Sequence, residues 1–261
     1  MLYPARGALR ALAWPSGARA DFVVAGAQRS GTTALDSYLR QHPDLEMALL
    51  KEAHFFDDER LFRGREPAYW KYHSLFPAWQ EDKVFGEVTP IYMYWKPAFS
   101  RIARYSRKMR ILMILRNPIE RAYSHWNMQL RDGDETLPFA EAIRKEAGRA
   151  KSAPRNQRRR FSYVGRGFYS EQIERALRRF PDEQLLAVRQ DELQADPQAV
   201  MSRVFRWLGV RDFVIEPRQV NCGSYAQPMR PEDRNHLRDV YADEIRRLER
   251  LLGWNCADWL S

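Results

Sequence analysis

The sequence predicts an α/β fold in which a central parallel sheet is covered by helices on both faces. Three observations carry that expectation. Short apolar runs recur at Phe22–Ala25, Val84–Val88, Ile111–Leu115 and Gln184–Val188, and runs of this length read as buried strands. Segments of helical periodicity separate them, from Leu35, Tyr38 and Leu39 early on to Leu237, Val240, Ile245, Leu248 and Leu251 within Pro231–Leu252. Strands that alternate with helices pair in parallel, and a parallel sheet needs cover on both sides.

The chain has 261 residues and an apolar content of 44%, enough for one large domain with a real core. Residues 1–20 read as a partly ordered lead-in and residues 21–261 as a single domain. The lead-in carries Arg6, Arg10 and Arg19, but Trp14-Pro15-Ser16-Gly17 breaks its apolar stretch, so it makes a poor secretory signal. No run approaches the length of a membrane span. Only two cysteines occur, Cys222 and Cys256, without metal-ligand spacing or a disulfide framework; a cytoplasmic location is expected. The net charge of +9 points to anionic partners.

The first strand leads into the stretch that carries most of the chemistry, Asp21–His42. Gly26 to Gly31 is a turn-forming segment, and a helix starts at Thr32. A strand, a glycine loop and a helix N-terminus present backbone N–H groups and a positive dipole end to an anion. The two glycines have the spacing of a Walker A loop, but Thr32 stands where that motif has its lysine. The loop's positive charge is on Arg29 instead. It is read as a phosphate site without the triphosphate and metal clamp; an ordinary tight strand–helix turn is the alternative.

The following segments are less specific alone. Lys51–Asp58 places Glu52 and His54 beside Phe55 and Phe56, as a cleft border or as two core rings with charged neighbours. Aromatics crowd residues 60–80, with packing favoured over sugar stacking. The third strand ends in Arg116-Asn117-Pro118, where asparagine suits an N-cap and proline the first helical position. Arg116 could grip a second phosphate and Ser124 add a hydroxyl; a surface arginine near a helix end is the plainer reading. Ala150–Arg160 is basic and reads as a solvated loop, with a basic rim or nucleic-acid patch disfavoured. A helix is expected from Gly167 to Phe180, and another from the Asp196-Pro197 cap to Gly209.

These motifs, in this order, resemble the sulfotransferases that use 3′-phosphoadenosine 5′-phosphosulfate, in the branch shared by bacterial and heparan sulfate enzymes. Phe22–Leu35 is similar to that family's 5′-phosphosulfate loop, and Lys51–Asp57, KEAHFFD, to its acidic cleft motif. Gly86–Tyr92, GEVTPIY, resembles the next cleft strand. Ile114–Ser124, ILRNPIERAYS, resembles the 3′-phosphate motif. The resemblance runs from about residue 20 to the end.

The resemblance implies a P-loop-like three-layer fold and sulfuryl transfer to a hydroxyl or amine by in-line attack, leaving adenosine 3′,5′-bisphosphate and needing no metal. It implies Gly26, Arg29, Ser30, Gly31, Thr32, Thr33, Arg116 and Ser124 as donor-binding residues. Tyr225, or Tyr169, is the candidate for stacking on adenine. Glu52 would be the base, His54 its backup, and Lys51 and Arg29 would face the developing charge. The acceptor would be a small molecule or carbohydrate. One departure stands out: Val88 occupies the place of a family lysine that touches the donor. A small-molecule kinase, or an inactive relative that binds nucleotide or nucleic acid, is the alternative.

Overall fold

The computed structural model describes residues 14–64, 66–152, 159–218 and 227–261. In chain order its main elements are β1 (Phe22–Gly26), α1 (Thr32–Leu39), β2 (Leu45–Met47), α2 (Tyr69–His73), β3 (Val84–Val88), α3 (Ile91–Tyr94), α4 (Ala98–Tyr105) and β4 (Arg110–Leu115). There follow α5 (Pro118–Arg131), α6 (Phe139–Ser152), α7 (Tyr169–Leu177), β5 (Leu185–Arg189), α8 (Gln190–Ala195), α9 (Pro197–Leu208) and α10 (Pro231–Leu252).

Two compact units can be described. The first comprises the described parts of Met1–Ala27, Gly31–Leu115 and Glu174–Asn221. It holds a five-stranded sheet in the order β2-β3-β1-β4-β5. Every pairing is parallel, with Phe22 opposite both Gly86 and Arg110. β1 lies at the centre, and all five of its residues are buried, as a strand covered on both faces requires. Asp21 ties it to both neighbours. Its carboxylate and carbonyl accept from the Phe85 and Arg110 amides at 2.8 Å.

On one side of this sheet Leu35, Leu39, Val204, Phe205 and Leu208 pack with Phe22, Val24, Leu112 and Ile114. Elsewhere in the unit the aromatics of residues 60–80 form core. Tyr72 and Phe76 are buried, with ring centroids 5.2 Å apart. Trp14, from the lead-in, stacks on His73 at 4.3 Å. Trp70 is the exception, 49% exposed. Phe55 and Phe56 are fully buried, so they are core rings and not walls of a cleft.

The second unit comprises Gln28–Ser30 and the described parts of Arg116–Ile173 and Cys222–Ser261. Its helices α5, α6 and α10 start or stop on local signals. The Asn117 side chain accepts from the Ile119 amide at 2.9 Å, with Pro118 at the first helical position. α10 opens on Pro231 and closes on Gly253, whose φ of 66° suits only a residue free to enter the left-handed region. In the first unit, Asp196 caps α9 at 2.9 Å and Gly209 ends it with φ 76°.

The structure corrects several boundaries. β2 was not among the expected strands; three residues at a sheet edge are too few to show a period. β5 sits one residue later than expected. Gly165–Gly167 forms a 3₁₀ turn, and the helix expected from Gly167 begins at Tyr169. The expected basic loop begins later than predicted, because α6 continues to Ser152. Residues 153–158 lie outside the described residues. Arg149 and Arg160, at the two ends of that segment, pair with Glu135 and Asp134. Among the described residues, no helix is long and apolar enough to cross a membrane.

Candidate active site

Strands in a parallel sheet deliver their carboxyl ends, and the loops that follow them, to one edge. In the first unit β1 ends at Gly26, where an added Cβ would stand 2.6 Å from Met93 Cβ and 3.2 Å from the Pro90 carbonyl. Only glycine allows that approach. Gly31 precedes α1 with φ 95°, and its carbonyl accepts from the Leu35 amide at 3.1 Å. Thr32 is buried, Thr33 is exposed, and no acid occupies the first turn of α1. A helix N-terminus without a carboxylate keeps its positive end for another anion.

Also in the first unit, Lys51–Asp57 forms a compact charge network. Lys51 Nζ donates to Glu52 Oε1 at 2.8 Å. His54 Nε2 lies 3.3 Å from Glu52 Oε2, and Nδ1 lies 3.1 Å from Asp57 Oδ2. An imidazole between two carboxylates needs a hydrogen on each nitrogen, so His54 is held as imidazolium. The hydrogen bonds to Asp57 and Glu52 push it up to about 10. The same bond from His54, with Lys51 beside it, pulls Glu52 down to about 2 despite its burial. Asp57 is 2% exposed and Glu52 is 37% exposed. One carboxylate therefore anchors the ring from below while the other meets solvent.

The backbone of this segment is strained. Glu52 and His54 have φ of 64° and 50°. Left-handed conformations at residues with a Cβ cost about 1–3 kcal/mol each and persist where surrounding contacts impose them. Here the Glu52 amide donates to the Val88 carbonyl at 2.7 Å, and the Phe55 and Phe56 amides donate to the Tyr92 hydroxyl at 3.1 and 3.3 Å.

In the second unit the loop residues Gln28–Ser30 meet the start of α5. Arg29 is also left-handed, with φ 68°. Its Nε donates to Ser124 Oγ at 3.0 Å. Arg116 Nη1 donates to the Arg29 carbonyl at 3.4 Å, and its other end lies 4.0 Å from Glu120. Ser30 and Ser124 are buried. Arg121 and His125, farther along α5, are buried too. Burial and the guanidinium groups of Arg166, Arg121 and Arg29 hold His125 well below its ordinary range, so it is neutral at pH 7. Two arginines and a hydroxyl linked through Arg29 can bind a phosphate through charge-assisted hydrogen bonds.

The structure thus brings Lys51, Glu52 and His54 together in one unit, and Arg29, Arg116 and Ser124 together in the other. Tyr225 lies outside the described residues. Tyr169 is fully buried and donates its hydroxyl to the Arg116 carbonyl at 2.9 Å, so it supports the arginine and offers no face for stacking. Val88 belongs to the apolar core. Two residues were assigned no role from sequence. Asp57 orients His54, a role signalled only by its position three residues after the histidine. Glu87 is a wholly buried acid inside β3, and an acid in an otherwise apolar strand was its signal.

The parallel sheet with its glycine loop defines a P-loop-like α/β fold. Residues 19–220 match the sulfotransferase domain family, and the chain belongs to that family. Heparan sulfate glucosamine 3-O-sulfotransferase 6 of Homo sapiens is 32% identical over 195 residues, which are 74% of this chain and 53% of that one. The bifunctional heparan sulfate N-deacetylase/N-sulfotransferase 3 of Homo sapiens is 31% identical, over 92% of this chain and 31% of its own length. The chain spans about half the length of the 3-O-sulfotransferases it matches. A crystal structure of a sulfotransferase from Alicyclobacillus acidocaldarius superposes with a TM-score of 0.80 at 30% identity, covering 94% of this chain and all of that one.

Proposed function

We propose that this chain transfers a sulfuryl group from 3′-phosphoadenosine 5′-phosphosulfate to a hydroxyl or amine of an acceptor. The observation that carries the donor assignment is the contact of Arg29, Arg116 and Ser124. A donor with a 3′-phosphate needs a second anion site apart from the glycine loop, and this cluster supplies the cations for one. The residues fit such a donor. Thr32 and Thr33 begin a helix without an acidic first turn, and the second cluster supplies two guanidinium groups.

In this reading the acceptor oxygen or nitrogen attacks sulfur in line. The bond from sulfur to the 5′-phosphate oxygen breaks, and adenosine 3′,5′-bisphosphate leaves. Glu52 takes the acceptor proton, and Arg29 offsets charge on the leaving phosphate. Glu52 is a feeble base while His54 and Lys51 hold it. An acceptor hydroxyl that displaces one of them raises its basicity at the moment of need. Where the displaced group is Lys51, it is released to face the sulfonate and supplies charge that Val88, in the place of the family lysine, does not. The names of the relatives point to a carbohydrate acceptor.

Calorimetric titration tests the donor class. Adenosine 3′,5′-bisphosphate should bind tightly without metal, and ATP with magnesium weakly. The reverse order would replace this reading with a kinase.

A further inference from the structure

We propose that the amino edge of the sheet carries a second binding surface, a basic groove walled by Arg104, Arg107, Arg178 and Arg179 that holds a segment of an acidic polysaccharide. Its use in turnover rests on the proposed sulfuryl transfer to a carbohydrate; the binding itself does not.

The groove is built by two chain segments of the first unit. On α4, Phe99, Ile102 and Tyr105 are buried. Ser100, Ala103 and Arg104, at i, i+3 and i+4, stand on the opposite face. Arg107 continues that row just beyond the helix, three residues before β4. Arg178 and Arg179 follow the end of α7 and precede β5. The two segments are tied together, because Gln184 Nε2 donates to the Arg107 carbonyl at 3.0 Å and to the Met109 carbonyl at 2.8 Å. β4 and β5 pair in parallel, with Ile111 opposite Leu185, so both walls stand at the amino ends of their strands. The Lys51–Asp57 segment lies at the other edge, where the Glu52 amide donates to the Val88 carbonyl at the end of β3. Strands of this length separate the two edges by about 15–20 Å.

The groove encloses about 500 Å³, the size of a small-ligand site. Arg104 pairs with Glu66 at 2.9 Å. Arg107, Arg178 and Arg179 are exposed and form no ion pair among the described residues. A volume of that size is about 10 Å across, close to the screening length at 0.1 M salt, so the guanidinium groups around it repel one another. The carboxyl ends of α4 and α7 offset part of that repulsion. They leave the forked donors of three arginines open to a ligand.

The lining selects the partner. Guanidinium forks match the paired oxygens of sulfate and carboxylate groups. The other lining residues are Ser100 and Ala103. Neither offers a ring to stack a nucleobase, as single-stranded nucleic acid sites do, nor a large apolar side chain to enter a lipid surface. A chain of sugars bearing sulfate or carboxylate groups needs neither.

The test titrates the full chain with a heparin fragment, with and without adenosine 3′,5′-bisphosphate. Replacing Arg107, Arg178 and Arg179 together by serine should weaken heparin about 10- to 100-fold and flatten its salt dependence. Affinity for the bisphosphate should not change. A control that replaces Arg131, Arg246 and Arg250 by serine removes the same charge from residues that do not line the groove, and should cost less than about threefold. Equal losses in the two triple variants, or no loss in the first, would overturn the proposal. So would a single-stranded oligonucleotide, or phosphatidylserine vesicles, binding more tightly than heparin and being lost in the first variant. In turnover that variant should raise KM for long acidic saccharide acceptors and leave kcat as it is. Failure of the unaltered protein to transfer sulfuryl groups would overturn the functional reading instead, and the heparin titration would still decide this one.

Discussion

The Lys51–Asp57 segment and the arginine cluster hold charge in different ways. In Lys51–Asp57 the charges are matched within seven consecutive residues: Lys51 against Glu52, and His54 between Glu52 and Asp57. In the cluster, Arg29 donates to a hydroxyl and Arg116 to a carbonyl, while the Glu120 carboxylate 4.0 Å from Arg116 is also paired with Arg234. Matched charge suits a group that must give or take a proton and then return to its resting state. Two guanidinium groups set beside a hydroxyl and a carbonyl suit a ligand that brings its own negative charge. In the proposed function the difference separates chemistry from binding, and each side can be attacked separately.

The largest expected effect is on the chemical side. Glu52→Ala should lower kcat by roughly 10²–10⁴, the span of a lost general base. Its affinity for adenosine 3′,5′-bisphosphate should stay within about twofold, because the donor is bound by other residues. Steady-state rates and calorimetry on the same preparation check both. Equal loss of rate and donor affinity would break the division drawn above.

The next effect is on the binding side. Arg116→Ala should weaken adenosine 3′,5′-bisphosphate by about 10- to 100-fold, since a hydrogen bond to a charged group is worth about 1.5–3 kcal/mol. Adenosine 5′-monophosphate, which lacks the 3′-phosphate, should lose little. A titration series with the two nucleotides reads the ratio. If both weaken alike, Arg116 props the fold through its contact with Arg29 and is not a 3′-phosphate ligand.

How far these two sides are legible in sequence differs for a physical reason. The sheet is legible because buried parallel strands are continuous apolar runs, and Asn117-Pro118, Asp196-Pro197 and Pro231 mark the observed helix starts. Arg116 and Ser124 are legible as a pair because both belong to one strand–cap–helix unit, whose local geometry sequence spacing determines. The Lys51–Asp57 network is not. It depends on left-handed φ at Glu52 and His54, which no glycine announces. It depends also on Tyr92, which reaches the segment through tertiary contact. His54 could be read as a packed ring beside Phe55 and Phe56; in the structure it is 41% exposed and held between carboxylates. Edge strand β2 escapes for a simpler cause, since three residues carry no period.

The smallest effect concerns stability, and its sign sharpens the claim that the segment's charges are matched. Hydrogen bonds to Asp57 and Glu52 raise His54 from 6.5 to about 10. Its contribution is fully present below pH 6.5 and is lost as pH rises through 10. Glu52 is lowered from 4.5 to about 2, mainly by the bond from His54. That contribution is present above pH 4.5 and is lost as pH falls through 2. The stabilisation from the pair should therefore be greatest between pH 4.5 and 6.5 and fade on both sides. Both side chains are more than a third exposed, so solvent screening limits it to about 0.2–1 kcal/mol. His54→Gln removes it. The difference in Tm between this variant and the parent should be widest in that window and shrink toward pH 10. A difference that ignores pH would mean that His54 stabilises the turn by packing alone, and the imidazolium between Glu52 and Asp57 would have to be given up.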